Sequence, residues 1–168
     1  MTLPPHPSSL PLDQLLKACQ VTHTRASGPG GQHRNKVQTA VVLTHSPTGI
    51  SAQASERRAQ AENLKVATFR LRINLALQHR AHAFGPPSPL WTARCQSERI
   101  ACSPSHIDFP TLLAEALDTL THFNFDHKAA AEHLNLSASQ LIKFLKKEPR
   151  AFQLINTERA AHNLHPLK

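Results

Sequence analysis

Hydrophobic spacing changes several times along the chain, and each change predicts a different element. Residues 1–11 hold four prolines and no periodic pattern, so a mobile lead-in is expected, with order beginning near Leu12. Residues 19–25 read as a strand in which Val21 and His23 alternate with Thr22 and Thr24, running into Ser27-Gly28-Pro29-Gly30-Gly31, which cannot be regular structure. Two further β-prone runs, 40–45 and 50–54, flank Ser46-Pro47-Thr48-Gly49, with Pro and Gly where a tight turn needs them, and so predict a hairpin. Ser55 is positioned to cap a helix from Glu56 to about His82. Its Leu64, Ala67, Leu71 and Leu75 recur at helical spacing, broadened by Phe69 and Ile73, a face expected to cover the sheet.

The period then disappears. Residues 85–110 contain five more prolines and read as a linker or an irregular segment packed over the sheet domain, with Trp91 as its anchor. A helical period returns over 111–123, with Leu112, Leu113, Ala116, Leu117 and Leu120 on one side. Residues 128–134 predict a short helix and Asn135-Leu136 a turn. Ser137 with Gln140 forms a capping box opening a second helix over 138–147, ended by Pro149. Leu134, Leu136, Leu141 and Leu145 are expected inside, and Ser139, Gln140, Lys143, Lys146 and Lys147 outside. The fold class is therefore α+β: a small antiparallel sheet with one long packing helix, then an all-helical C-terminal unit containing a helix-turn-helix. The expected boundaries are 1–11 lead-in, 12–84 sheet domain, 85–110 Pro-rich linker and 111–168 helical unit.

Charge adds a partner class. A net charge of +8 with a pI near 10.0 points to a polyanion, nucleic acid first. The excess is concentrated: residues 1–84 hold ten Lys/Arg against three Asp/Glu, and residues 85–168 nine against eight. Arg58, Lys65, Arg72 and His79 fall at successive sevens on the long helix, a line able to follow a phosphate backbone, or a solvated outer face. Apolar stretches are interrupted by Arg, Lys or His, so no membrane segment is expected. The first residues lack the order of a signal peptide, and the chain is placed in the cytoplasm. Three cysteines, Cys19, Cys95 and Cys102, an odd number, argue against a disulfide framework; Cys95, Cys102 and His106 lack a CxxC pair, and no metal site is expected.

The glycine-rich stretch carries the chemistry. Gly28-x-Gly30 lacks the third glycine of a dinucleotide fingerprint, Gly31 is not followed by the Lys-Ser/Thr of a P-loop, and neither HExxH nor GxSxG occurs. The run Arg25-Ala26-Ser27-Gly28-Pro29-Gly30-Gly31-Gln32-His33-Arg34-Asn35-Lys36-Val37 instead resembles the catalytic domain of class I peptide chain release factors. The likeness continues through Thr39-Ala40-Val41, Thr44-His45-x-Pro47-Thr48-Gly49-Ile50 and Arg58-x-Gln60-x-x-Asn63. Arg34, where the family commonly has Val, and Val42, where codon-reading members often have Arg, depart from it.

The resemblance implies ribosome-dependent hydrolysis of the ester joining a peptide to its tRNA, with Gly30, Gly31 and Gln32 as the catalytic residues. The Gln32 backbone N–H would stabilise the developing charge, its side chain would hold water, and the two glycines would permit close approach of the tRNA end. Arg25, Arg34, Asn35 and Lys36, with Arg58, Lys65 and Arg72 on the helix side, are the expected RNA contacts, while His33 and His45 are read as structural. No cofactor is expected. Methylation of Gln32 by a glutamine methyltransferase is implied, as are the large-subunit rRNA and peptidyl-tRNA as partners of a monomer.

A length of 168 residues leaves no room for a codon-reading domain beside these units, so the leading expectation is a small, codon-independent member like the ribosome-rescue hydrolases. Its tail differs from theirs, with Arg159 and Lys168 as the firm cations after Glu158. Two alternatives stay open: a non-catalytic paralogue that binds RNA, and a DNA-binding regulator that rests on residues 137–147, the second helix of a helix-turn-helix over 128–147 that resembles the Fis type.

Overall fold

The computed structural model describes residues 5–24, 39–81 and 84–168, which divide into two compact units. The first, Pro7–His79, opens with a 3-10 turn at Pro7–Ser9 and helix α1, Leu12–Lys17. Strands β1, Cys19–Thr24, β2, Ala40–His45, and β3, Ser51–Ala54, then form an antiparallel sheet in the order β1-β2-β3. The β-branched run of β2 suits the central position, and its alternation turns Val41, Leu43 and His45 inward. The expected turn joins β2 to β3: Gly49 takes φ +70°, and the Thr48 and Gly49 N–H groups donate to the His45 carbonyl.

Helix α2, Gln60–Gln78, covers the sheet. Leu15, Val41, Leu43, Ala54, Ala67, Leu71 and Leu75 form the fully buried centre, each Leu contributing about 1.5–3 kcal/mol of burial. The helix is shorter than the sequence suggests at both ends. Ser55 does not cap it; Ala59 is the N-cap, without a side-chain bond. The Ser55 N–H is taken by Glu56, and the bend before the helix is shaped by Asn63, whose Oδ1 accepts the Arg57 N–H at 2.9 Å. At the far end His79 is extended, at φ −112° and ψ 139°.

The expected lead-in holds ordered structure. Ser8 is buried, and the Arg72 guanidinium donates to the carbonyls of Ser8, at 3.2 Å, and Leu10, at 2.7 Å. A proline-rich turn leaves its carbonyls without ladder partners, and a cation on α2 satisfies them.

The second unit takes in Arg80–Lys168 with Pro5 and His6. The stretch expected as a Pro-rich linker, 85–110, is folded into this unit. Ser88 accepts the Trp91 N–H and Pro89 occupies the first turn, so a proline starts helix α3, Pro89–Arg94, instead of marking a loop. Strands β4, Cys95–Gln96, and β5, Arg99–Ile100, follow as a hairpin whose turn residues Ser97 and Glu98 both take positive φ. Trp91 is completely buried, donates its indole N–H to the Leu134 carbonyl at 2.8 Å, and meets Phe144 edge-on.

Four helices complete the unit: α4, Phe109–His122; α5, His127–His133; α6, Ala138–Leu145; and α7, Pro149–Ala161. The apolar face expected on α4 is buried, as are Leu134, Leu136, Leu141 and Leu145. Asp126 caps α5 and Ser137 caps α6, while Asn135 between them takes φ +53°. Only half of the capping box is seen: the Ser137 N–H donates to the Glu98 carbonyl. The outer side of α4 grips the entering chain. Glu115 accepts from the Ser88 N–H and hydroxyl, Asp118 accepts from Arg80 and from the Ala81 N–H, and His122 stacks on Phe84.

Candidate active site

Gly30, Gly31 and Gln32, together with Arg25, Arg34, Asn35 and Lys36, lie outside the described residues. What is described is the frame they hang from. Thr24 at the end of β1 pairs with Ala40 at the start of β2, so residues 25–38 leave from and return to neighbouring strand ends. Between Ala40 and that excursion stands Thr39. Its carbonyl accepts a 2.7 Å hydrogen bond from Asn63 Nδ2, and the same nitrogen donates to the Arg57 carbonyl at 3.0 Å.

Asn63 is fully buried in the first turn of α2, and its amide is satisfied on both sides. The segment between β3 and α2 has a second tie: Arg70 reaches back to Glu56, at 2.6 Å, and to the Gln53 carbonyl, at 2.9 Å. The Ser55 N–H and the Arg70 guanidinium hold the Glu56 carboxyl below its ordinary value.

The basic line expected along α2 is broken. Arg58 is exposed, in the bend before the helix. Lys65 is exposed and pairs with Glu62 at 2.9 Å. Arg72, expected among the RNA contacts, is only 9% exposed and instead engages Ser8 and Leu10: the chain before α1 covers that stretch of the helix face, which spacing alone does not reveal. His45 is buried, with Nδ1 2.8 Å from Thr48 Oγ1, a position inside the turn that agrees with a structural role. Burial, then the nearby His79, pulls its pKa down, so the ring is neutral near pH 7.

The polar face of α6 is partly as expected. Ser139, Lys143 and Lys146 are exposed and Gln140 half-buried, whereas Lys147 is turned in and donates to the Cys102 carbonyl at 2.6 Å. The three residues considered for zinc have separate partners: Cys95 contacts the Asn135 carbonyl, Cys102 that of Ser103, and His106 lies against Arg94 and Asp108. Burial pushes both thiols up, away from the thiolate a metal needs. Arg159, read as a tail cation, is buried and donates to the carbonyls of Phe125 and His165, and Leu167 is held by Asn156.

Among the described residues, Asn63 and the Thr39 carbonyl were the site elements that sequence reasoning did not assign a task. The available signal was an amide placed where a helix stripe wants an apolar side chain. Among the described residues no helix is long and apolar enough to cross a membrane.

Residues 15–87 match the RF-1 domain family. The chloroplastic peptide chain release factor PrfB1 of Arabidopsis thaliana is 47% identical over 55 residues, 33% of this chain and 12% of that protein. Peptide chain release factor 2 of Acidovorax ebreus is 57% identical over 51 residues, 30% of this chain and 14% of that protein. The mitochondrial peptide chain release factor 1-like protein of Mus musculus is 37% identical over 75 residues, 45% of this chain and 20% of that protein. The similarity thus spans between 12% and 20% of these relatives' lengths, and residues 88–168 lie outside the family match. Residues 15–87 are thus similar to the RF-1 domain, and the stretches shared with these peptide chain release factors are short relative to both the chain and the relatives.

Proposed function

We propose that the chain hydrolyses the peptidyl-tRNA ester on ribosomes without reading a codon. The observation that carries this reading is the RF-1 match over 15–87, which runs across Gly30-Gly31-Gln32 and through the strand pair that brackets it. Water adds to the ester carbonyl carbon, the bond from that carbon to the ribose oxygen breaks, and a proton passes to the ribose oxygen. The products are a peptide acid and a free tRNA hydroxyl. In this reading the Gln32 N–H stabilises the charge that develops, the Gln32 side chain orients the water, and Gly30 and Gly31 admit the tRNA end. Arg25, Arg34, Asn35, Lys36 and Arg58 meet rRNA or tRNA phosphates, with Lys65 joining them once Glu62 is released.

Codon independence draws its support from the helical unit that follows the domain in this chain. The inward Arg159 and the anchored Leu167 favour assigning ribosome contacts to that unit's surface, with the exposed lysines of α6, over assigning them to the residues after α7. Gln32 is also proposed as the acceptor of a glutamine methyltransferase, read as a one-methyl mass increase on its peptide after incubation with such an enzyme and a methyl donor.

The exposed Lys143 and Lys146 favour one second reading, a non-catalytic RNA-binding module. Peptide release from stalled ribosomal complexes, by wild type and Gln32→Ala, separates the two. The hydrolase reading expects release by wild type and a rate at least about tenfold lower for the variant. Salt-dependent ribosome binding that ignores Gln32, with no release by either protein, favours the module.

A further inference from the structure

We infer that Asn63 is a positioning residue for the hydrolytic site, acting by clamping the chain at Thr39 where residues 25–38 rejoin the sheet. The inference deepens the proposed hydrolase reading and rests on it for the catalytic effect.

The three hydrogen bonds of Asn63 have different reach. Two go to Arg57, six residues away, and would suffice to shape the bend before α2. The third spans twenty-four residues to the Thr39 carbonyl, and at 2.7 Å it is the shortest of the set. Shaping a bend does not call for it. Thr39 is followed by Ala40, whose partner is Thr24, so the ladder and the Asn63 amide fix this strand end from two directions.

The orientation of the amide is determined by its partners. Thr39 O and Arg57 O can only accept and Arg57 N–H can only donate, so the side-chain nitrogen must face the two carbonyls. No other side chain of similar size supplies two donors and one acceptor in that geometry. Asp would set a carboxylate against two carbonyl oxygens, and Leu would leave all three groups unpaired in a fully buried place. Thr39 lies seven positions from Gln32 in the sequence, and the Asn63 hydrogen bond fixes the described residue nearest the proposed reacting groups on that side. Displacements on the order of 1 Å can cost about 100-fold in rate.

Two variants and two readouts test this in the full-length chain. Single-turnover peptide release is measured against factor concentration for wild type, Asn63→Ala and Asn63→Asp, below their melting temperatures. Asn63→Ala is expected to lower the maximal rate about 10–100-fold while the half-saturating concentration changes less than about twofold. A protonated carboxyl can again donate to one carbonyl, so the rate of Asn63→Asp relative to wild type rises as pH falls, and the ratio for Asn63→Ala stays level. An unchanged maximal rate in folded Asn63→Ala, or equal losses in rate and half-saturation, overturns the inference.

Amide exchange supplies the second readout and does not depend on activity. Peptides covering 25–39 are expected to exchange faster in Asn63→Ala, with β3 and the centre of α2 unchanged. Equal exchange over 25–39, or faster exchange everywhere, removes the clamp. If wild type releases no peptide, the hydrolase reading fails and the catalytic effect assigned to Asn63 fails with it, while exchange still decides whether Asn63 holds Thr39.

Discussion

The two units use polar side chains for different ends. In the helical unit they mostly serve the unit's own elements: Ser88, Asp126 and Ser137 cap helices, Trp91 ties α3 to the turn after α5, and Arg159 holds the residues after α7. In the sheet unit the fully buried Asn63 and the inward Arg72 reach across many residues to the carbonyls of Thr39, Ser8 and Leu10. The first pattern stabilises a compact body. The second ties described residues at the edges of the sheet unit to α2, and Thr39 is the one that directly precedes β2.

The contrast can be broken most strongly at Trp91. Trp91→Ala removes the largest fully buried side chain of the helical unit and leaves the Leu134 carbonyl without its donor, so a loss of about 3–5 kcal/mol is expected in chemical denaturation. Amide exchange should place the loss in 80–168 and leave β2 and α2 protected. Arg72→Met keeps the length of the side chain but removes the guanidinium donor to the Ser8 and Leu10 carbonyls, with an expected cost of about 1–3 kcal/mol to the sheet unit. Its RNA affinity at fixed salt should match wild type, whereas Arg58→Ala should weaken binding and flatten the salt dependence. Ser137→Ala removes the α6 cap and should cost about 1 kcal/mol, with release unaffected.

The smallest expected effect is a pH dependence at Asp118. Burial pushes its carboxyl up from 3.8 to about 6, despite Arg80 at 3.1 Å and the Ala81 N–H. The folded chain therefore holds the proton more tightly than the unfolded chain. This group's contribution is greatest below about pH 4 and is lost as pH climbs through about 6. Asp118→Asn keeps an acceptor for Arg80 and Ala81 without the buried charge. Compared with wild type, its melting temperature should lack this decline between pH 4 and 6.

Elements whose own residues set their form were legible in the sequence: the β2–β3 hairpin with its Gly49, the apolar stripe of α2, and the Asn135 turn with its Ser137 cap. What escaped was decided by distant partners. A proline-rich stretch reads as a linker until Ser88 and Pro89 are seen opening a helix that buries Trp91. A heptad line of cations reads as a surface until Ser8 and Leu10 are found over Arg72. For the site, the sequence offered Gly30-Gly31-Gln32 because a motif is local, and it offered no partner for Asn63, whose hydrogen bond to Thr39 spans twenty-four residues.

The central claim is that the Gln32 backbone N–H drives ester hydrolysis. Its most direct test is single-turnover peptide release from stalled ribosomal complexes by wild type, Gln32→Ala and Gln32→Pro. The account predicts release by wild type, a smaller loss in Gln32→Ala, which keeps the N–H, and a loss of about 10²–10³-fold in Gln32→Pro, which lacks it. Equal rates for all three proteins, or no release by wild type, would contradict it.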